Sequence, residues 1–188
     1  MSGLIQNLKE AIIGESNAKR KYEMYSERAQ EEQLPEISHL FKAISSAEAI
    51  HIKNHIKALS ILTKIEVKIE EIVNINEELL RKTVKDTRTN LKDAINGETY
   101  ETKQMYKGFV KNAKNEDNEV VELAFTLARK AEKVHANLFT KYLKKLEKNQ
   151  SIDNMKIYVC QICGNVEIGD IPLVCPVCDH NQRFFKEI

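Results

Sequence analysis

Ala47-Glu48-Ala49-Ile50-His51 and, much later in the chain, Ala131-Glu132-Lys133-Val134-His135 are near-copies of each other. Each is a Glu-x-x-His inside a run with helical character. Helix positions three apart lie side by side, so each stretch presents one carboxylate and one imidazole to the same point. A second pair of near-copies, Ala11-Ile12-Ile13-Gly14-Glu15 and Ala94-Ile95-Asn96-Gly97-Glu98, precedes the first at almost the same separation. The order is therefore given twice, and the interval from Glu98 to Glu132 exceeds that from Glu15 to Glu48 by a single position. Such a repeat predicts two helical hairpins, each delivering one lone Glu and one Glu-His pair.

The flanking sequence supports four long helices. Leu4, Leu8, Ile12, Tyr22 and Tyr25 form a stripe of helical period over residues 3–31, and Glu15 sits on that stripe. Leu34-Pro35 interrupts it, because proline suits the start of a helix and not its middle. A second helix over about 36–62 aligns Ile37, Phe41, Ile44, Leu59 and Leu62 with Glu48, His51 and His55. The third, over about 84–114, carries Val84, Leu91, Ile95, Glu98, Glu101, Met105 and Phe109. A turn at 115–118, with Asp117 or Asn118 as N-cap, leads into a fourth through Val121, Ala128, Glu132, His135, Phe139 and Leu146. Residues 63–84 have no settled period, but they can run back along helices roughly 40 Å long if extended. The expected fold is mainly α: a four-helix bundle with one long crossover over residues 1–149, then a small four-cysteine domain over 150–188.

Composition narrows the function classes. A net charge of +1 gives no bulk attraction to nucleic acid or to a membrane surface. No apolar run approaches the roughly 20 residues needed to span a bilayer. Met1-Ser2-Gly3-Leu4 leads straight into amphipathic helix without a signal-peptide apolar core, so a cytoplasmic location is expected.

Five glutamates (Glu15, Glu48, Glu98, Glu101 and Glu132) and two histidines (His51 and His135) lie on core stripes, with no Lys or Arg among them. Buried carboxylates are costly unless protonated, paired or bound to metal, so two bridged metal ions are expected. His55 reads as a core residue or a neighbour of the site, and His39 and His180 as surface or packing residues. Tyr25, Tyr100 and Tyr106 read as packing. Tyr22 has two readings: packing, or a hydrogen bond into the site.

All four cysteines fall near the C-terminus, as Cys160-x-x-Cys163 and Cys175-x-x-Cys178. Without a secretion signal, that spacing predicts a tetrahedral thiolate metal site and not disulfides. Zinc and iron both accept four thiolates.

Taken together, Gly14-Glu15, Glu48-x-x-His51, Gly97-Glu98-x-x-Glu101, Glu132-x-x-His135 and C-x-x-C-G…C-P-x-C resemble the rubrerythrins over nearly the whole chain. The resemblance implies a ferritin-like di-iron bundle, a ligand arrangement known for that class of protein, followed by a rubredoxin-like domain. It implies three Fe per chain, with zinc an alternative in the four-cysteine site. It also implies a peroxidase reducing hydrogen peroxide to water in oxidative-stress defence, supplied by a small redox protein or reductase. Glu101, His51 and Tyr22 are its implied catalytic residues, one iron being held by Glu101 when oxidised and shifting toward His51 when reduced. Two departures from rubredoxin-like modules stand out: Asp179-His180 where a glycine usually follows the last cysteine, and Asn165 in place of an aromatic. The competing readings are a ferroxidase or iron-storage bundle, and a metal-binding scaffold with structural zinc in its tail. The distance from His135 to the end of the fourth helix, roughly 18 Å, predicts that a chain's own four-cysteine site lies beyond its bundle. A homodimer or higher homo-oligomer is therefore expected, with electrons crossing between chains and helix pairs open to exchange through the crossover.

Overall fold

The computed structural model describes residues 2–188, so Met1 lies outside the described residues. Its helices are α1 (Ser2–Glu31), α2 (Pro35–Thr63), α3 (Glu77–Thr83), α4 (Thr87–Tyr100), α5 (Tyr106–Asn115) and α6 (Glu119–Glu147). Pro35 opens α2, where a missing N–H costs nothing. Asn118, not Asp117, caps α6 by accepting from the Val121 N–H, while Asp117 takes the left-handed turn position at φ 48°. α1 packs on α2, and α4 and α5 pack on α6. These are the two hairpins of the repeat.

Two local expectations need correction. The third helix begins at Thr87, because the Asp86 side chain caps it through the Thr89 N–H, and Val84 lies before it. It is also not continuous: Glu101–Met105 forms a π-helical segment between α4 and α5. The crossover is likewise only partly extended, containing a 3₁₀ turn (Ile69–Glu71) and α3 under its Asn76 cap. α3 buries none of its residues, which is why it lacks a readable apolar stripe.

Two apolar clusters fill the bundle. One contains Tyr22, Tyr25, Phe41, Ile44, Leu91 and Phe139. The other contains Leu4, Leu8, Ile12, Leu59, Tyr106 and Phe125. A layer of buried polar residues, including Glu15, Glu48, His51, Glu98, Glu132 and His135, is set among them.

The small domain is a three-stranded antiparallel sheet in the order β2-β1-β3, from β1 (Ile157–Cys160), β2 (Val166–Ile168) and β3 (Phe185–Glu187). Its position corrects the expectation that it lies beyond the bundle. α6 ends in a Schellman turn: Gln150 N–H donates to Lys145 O (2.9 Å), Asn149 N–H to Leu146 O (3.2 Å), and Asn149 adopts φ 51°. The chain therefore reverses. Ile157, Val159 and Val166 of the sheet then bury in the same cluster as Phe41, Ile44 and Phe139 of the bundle. The axial distance from His135 to the helix end runs outward along α6, whereas the linker runs back.

Candidate metal centre

α2 and α6 each place a Glu-His pair on one inward face, and α1 and α4 each add a Glu. Glu132 spans the two histidines, with Oε1 2.7 Å from His51 Nδ1 and Oε2 2.7 Å from His135 Nδ1. Glu48 does the same less tightly, at 2.9 Å from His51 and 3.6 Å from His135. Glu15 lies 3.6 Å from His51, and Glu98 lies 3.5 Å from His135. Two quartets result, Glu15-Glu48-His51-Glu132 and Glu48-Glu98-Glu132-His135, in each of which the ligand-type atoms lie within 4.8 Å of one another. Glu48 and Glu132 belong to both. The sequence repeat has become a pseudo-two-fold site.

The donor set fits a pair of cations. All six side chains are buried. Among the described residues, Glu15 Oε2, Glu48 Oε1, Glu98 Oε2, both Glu132 oxygens and His135 Nδ1 have no partner in hydrogen-bonding geometry, the short Glu132–imidazole approaches being misaligned for one. Buried polar atoms are seldom left so, and six in one layer mark a site built for ions. Burial, together with the Glu132 charge, pushes the Glu48 carboxyl up and that of Glu98 up to about 8. Burial disfavours charge on His51 and His135, but Glu132 outweighs it and raises both. The same two imidazoles hold Glu132 well below the usual carboxylate range, against its burial.

Each imidazole is oriented from behind. His51 Nε2 is 3.0 Å from Cys163 O, and His135 Nε2 is 3.0 Å from Gly164 O. A carbonyl only accepts, so both Nε2 atoms carry a proton, and it is the Nδ1 atoms, facing the quartets, that a metal ion would take. Those carbonyls belong to the first cysteine turn, and Asn54 Nδ2 donates to the preceding one, Ile162 O, at 2.8 Å. Only glycine fits at 164: its φ is +79°, and a Cβ there would lie 2.4 Å from His51 Nε2.

Glu101 is in neither quartet. It opens the π segment, half-buried, and burial followed by the Glu15 charge raises its carboxyl well above the ordinary range. Both Glu101 and His51 are expected as metal ligands; the structure brings His51 into the cluster and leaves Glu101 outside both quartets. Tyr22 takes the hydrogen-bonding reading, its hydroxyl donating to Glu98 Oε1 at 2.6 Å. Tyr106, expected only to pack, donates to Glu15 Oε1 and lies 2.9 Å from His55 Nε2. The repeat held the signal for this: the interval from Tyr22 to Glu48 equals that from Tyr106 to Glu132. His39, expected to be a surface or packing residue, lies 2.9 Å from the Ile188 carbonyl just past β3.

The four cysteines converge with Sγ–Sγ separations of 3.7 Å for Cys160–Cys178 and for Cys163–Cys175. That is far beyond a disulfide, and it is close to the edge of a tetrahedron with metal–sulfur bonds of about 2.3 Å. Gly164 N–H donates to Cys160 O and Asp179 N–H to Cys175 O, both at 2.9 Å. Asp179 takes φ 59° and so performs the turn for which a glycine is usual.

The rubrerythrin family model matches residues 6–147. Rubrerythrin-1 of Clostridium acetobutylicum is 35% identical over 184 residues, covering 96% of this chain and 92% of that protein. Nigerythrin of Nitratidesulfovibrio vulgaris is 33% identical over 174 residues, covering 93% and 81%. A solved structure of nigerythrin in a mixed-valent state superposes with a TM-score of 0.87 at 29% identity, covering 98% of this chain and 86% of that one. The bundle is ferritin-like, the four-cysteine sheet is rubredoxin-like, and the chain belongs to the rubrerythrin family.

Proposed function

We propose that the chain reduces hydrogen peroxide to water, with two iron ions held by the paired quartets and a third by the four cysteines. One observation carries this reading. The Nε2–H groups of His51 and His135 donate to the carbonyls of Cys163 and Gly164, so one hydrogen bond joins each bundle imidazole to the cysteine turn. From Cys163 Sγ the path runs through that residue's own backbone to its carbonyl and on to His51. An iron-storage bundle has no use for such a link, and neither does a structural zinc tail. Nigerythrin has been solved in an all-ferrous state, which supports iron as the metal here.

When bound, the iron pair supplies two electrons and the positive charge that O–O cleavage requires. The protein's residues do the rest. Glu48 and Glu132, common to both quartets, would hold both ions, with Glu15 and His51 holding one and Glu98 and His135 the other. Tyr22 holds a proton on the hydroxyl that faces Glu98 and keeps that carboxylate in place. Glu101 stands at the half-buried edge of the layer, where it would be available as a ligand in place of His51. Reduction of one peroxide consumes two electrons and two protons and gives two waters. A small redox protein or reductase restores the electrons through the four-cysteine domain, in the cytoplasm.

The test is anaerobic reduction of the full chain followed by addition of peroxide. Rapid reoxidation is expected, with one peroxide consumed per two bundle electrons, along with a coloured four-cysteine site that bleaches on reduction. Reoxidation no faster than in Glu132→Ala, or a colourless tail holding zinc, would overturn the reading.

A further inference from the structure

The pseudo-two-fold of the site has a break that the ligands do not explain. Counting four residues on from each ligand histidine gives His55 in the first copy and Phe139 in the second. The two rings occupy matching places: Phe139 lies 5.4 Å from the Tyr22 ring, and His55 lies 5.7 Å from the Tyr106 ring. Each tyrosine serves the Glu of the opposite hairpin, Tyr22 to Glu98 and Tyr106 to Glu15. On the Tyr22 side the neighbour is a hydrocarbon. On the Tyr106 side it is a fully buried imidazole, with Nε2 2.9 Å from the tyrosine oxygen.

Counting protons fixes the roles. The Tyr106 hydroxyl has one proton and gives it to Glu15, so His55 donates its Nε2–H to the tyrosine oxygen. His55 Nδ1 is then left buried without a hydrogen-bond partner among the described residues. As a packing residue this is a poor choice, because Phe fills the equivalent space at 139 with no orphaned nitrogen. With the proton on Nε2 and Nδ1 buried and unpartnered, the arrangement is that of a neutral imidazole. Its donation locks the Tyr106 hydroxyl toward Glu15 and polarises that bond.

We infer that His55 is a positioning residue that acts through Tyr106 on Glu15, and so makes the two metal positions of the bundle unequal. The inference rests on the di-metal reading of the bundle. His55 strengthens the Glu15-Glu48-His51-Glu132 position and leaves the Glu48-Glu98-Glu132-His135 position as it is. Partners behind metal ligands commonly change affinity by about 10–100-fold, and His55 is placed to act at the lower end of that range.

The experiment is an anaerobic cobalt(II) titration of the metal-free full chain, followed by visible absorption. Thiolate-bound cobalt has its own intense bands, so the four-cysteine site is counted separately from the two bundle positions. His55→Phe installs the residue the fold already accepts at 139, and circular dichroism checks that it is folded. About tenfold weaker binding is expected at one bundle position only. His55→Gln keeps a donor near the place of Nε2 and is expected to restore most of that loss. In a Tyr106→Phe background, His55→Phe is expected to add nothing, whereas a packing effect would add. Unchanged binding in His55→Phe, equal loss at both positions, or additive loss with Tyr106→Phe would overturn the inference while leaving the di-metal reading intact. A wild-type chain that binds no cobalt in its bundle would overturn both.

Discussion

At the residue scale, what matters is that two carboxylates are shared and two are not. Glu48 and Glu132 enter both quartets, whereas Glu15 and Glu98 enter one each. Glu48→Ala or Glu132→Ala is expected to lose both bundle metals, and Glu15→Ala or Glu98→Ala only one. Metal analysis after anaerobic iron loading and desalting reads the difference directly, and two irons retained in the bundle of Glu132→Ala would remove that residue from the site. The helices should persist in all four variants, since each change removes a buried carboxylate and leaves the apolar clusters untouched. The six quartet residues are legible in the sequence because a polar residue on an apolar helical stripe has to be compensated. The hydrogen bonds behind them are less so. Tyr106 and Glu15 belong to different hairpins, and periodicity within a helix says nothing about what faces it across the bundle.

At the element scale, the π segment is a one-residue insertion that can be located by comparing the two halves of the repeat. The step from Glu98 to Tyr106 is one position longer than the step from Glu15 to Tyr22. Beyond the tyrosines the halves return to register, since Tyr22 to Glu48 and Tyr106 to Glu132 are equal intervals. The extra residue therefore lies between Glu98 and Tyr106, where Glu101–Met105 forms the π turn. Such turns recur at functional sites. Apolar spacing alone does not show it, because Met105 and Phe109 stay in phase and the stripe resumes beyond the bulge. The turn needs outside support, and Arg129 of α6 donates to Thr102 O at 2.8 Å. Arg129→Ala is expected to cost about 1.5 kcal/mol in urea unfolding, the lower end of the range for a hydrogen bond to a charged group, since the site is half-exposed. It should also slow peroxide turnover, as Glu101→Ala is expected to, with both metals still bound. Full turnover in Glu101→Ala would mean that the segment shapes the helix without taking part in the chemistry.

At the scale of the whole molecule, one residue redirects the chain. Asn149 in the left-handed conformation ends α6 with a Schellman turn, and the linker comes back to seat the sheet against its own bundle. An Asn just past a Lys-rich helix end is a recognised stop signal. The sequence therefore contains the reversal, although not the surface on which the returning chain lands. That surface is set by long-range contacts: Ile157, Val159 and Val166 against the bundle core, and Ile162, Cys163 and Gly164 beneath Asn54, His51 and His135. The two candidate metal sites of one chain are thus in direct contact, so on the proposed reading electrons would not need a second copy to pass between them. Mixing a Cys175→Ser chain with a Glu132→Ala chain should consequently recover no peroxidase activity, even after the subunits have been exchanged by mild denaturation and refolding. The Cys175→Ser chain, reduced chemically, should still react once with peroxide, which checks that its bundle is intact and makes the negative result meaningful. Recovery of a substantial share of wild-type turnover would show that tails serve a partner's bundle. The contact of Cys163 with His51 would then form between chains, and the homodimer expected from the helix lengths would be the working unit.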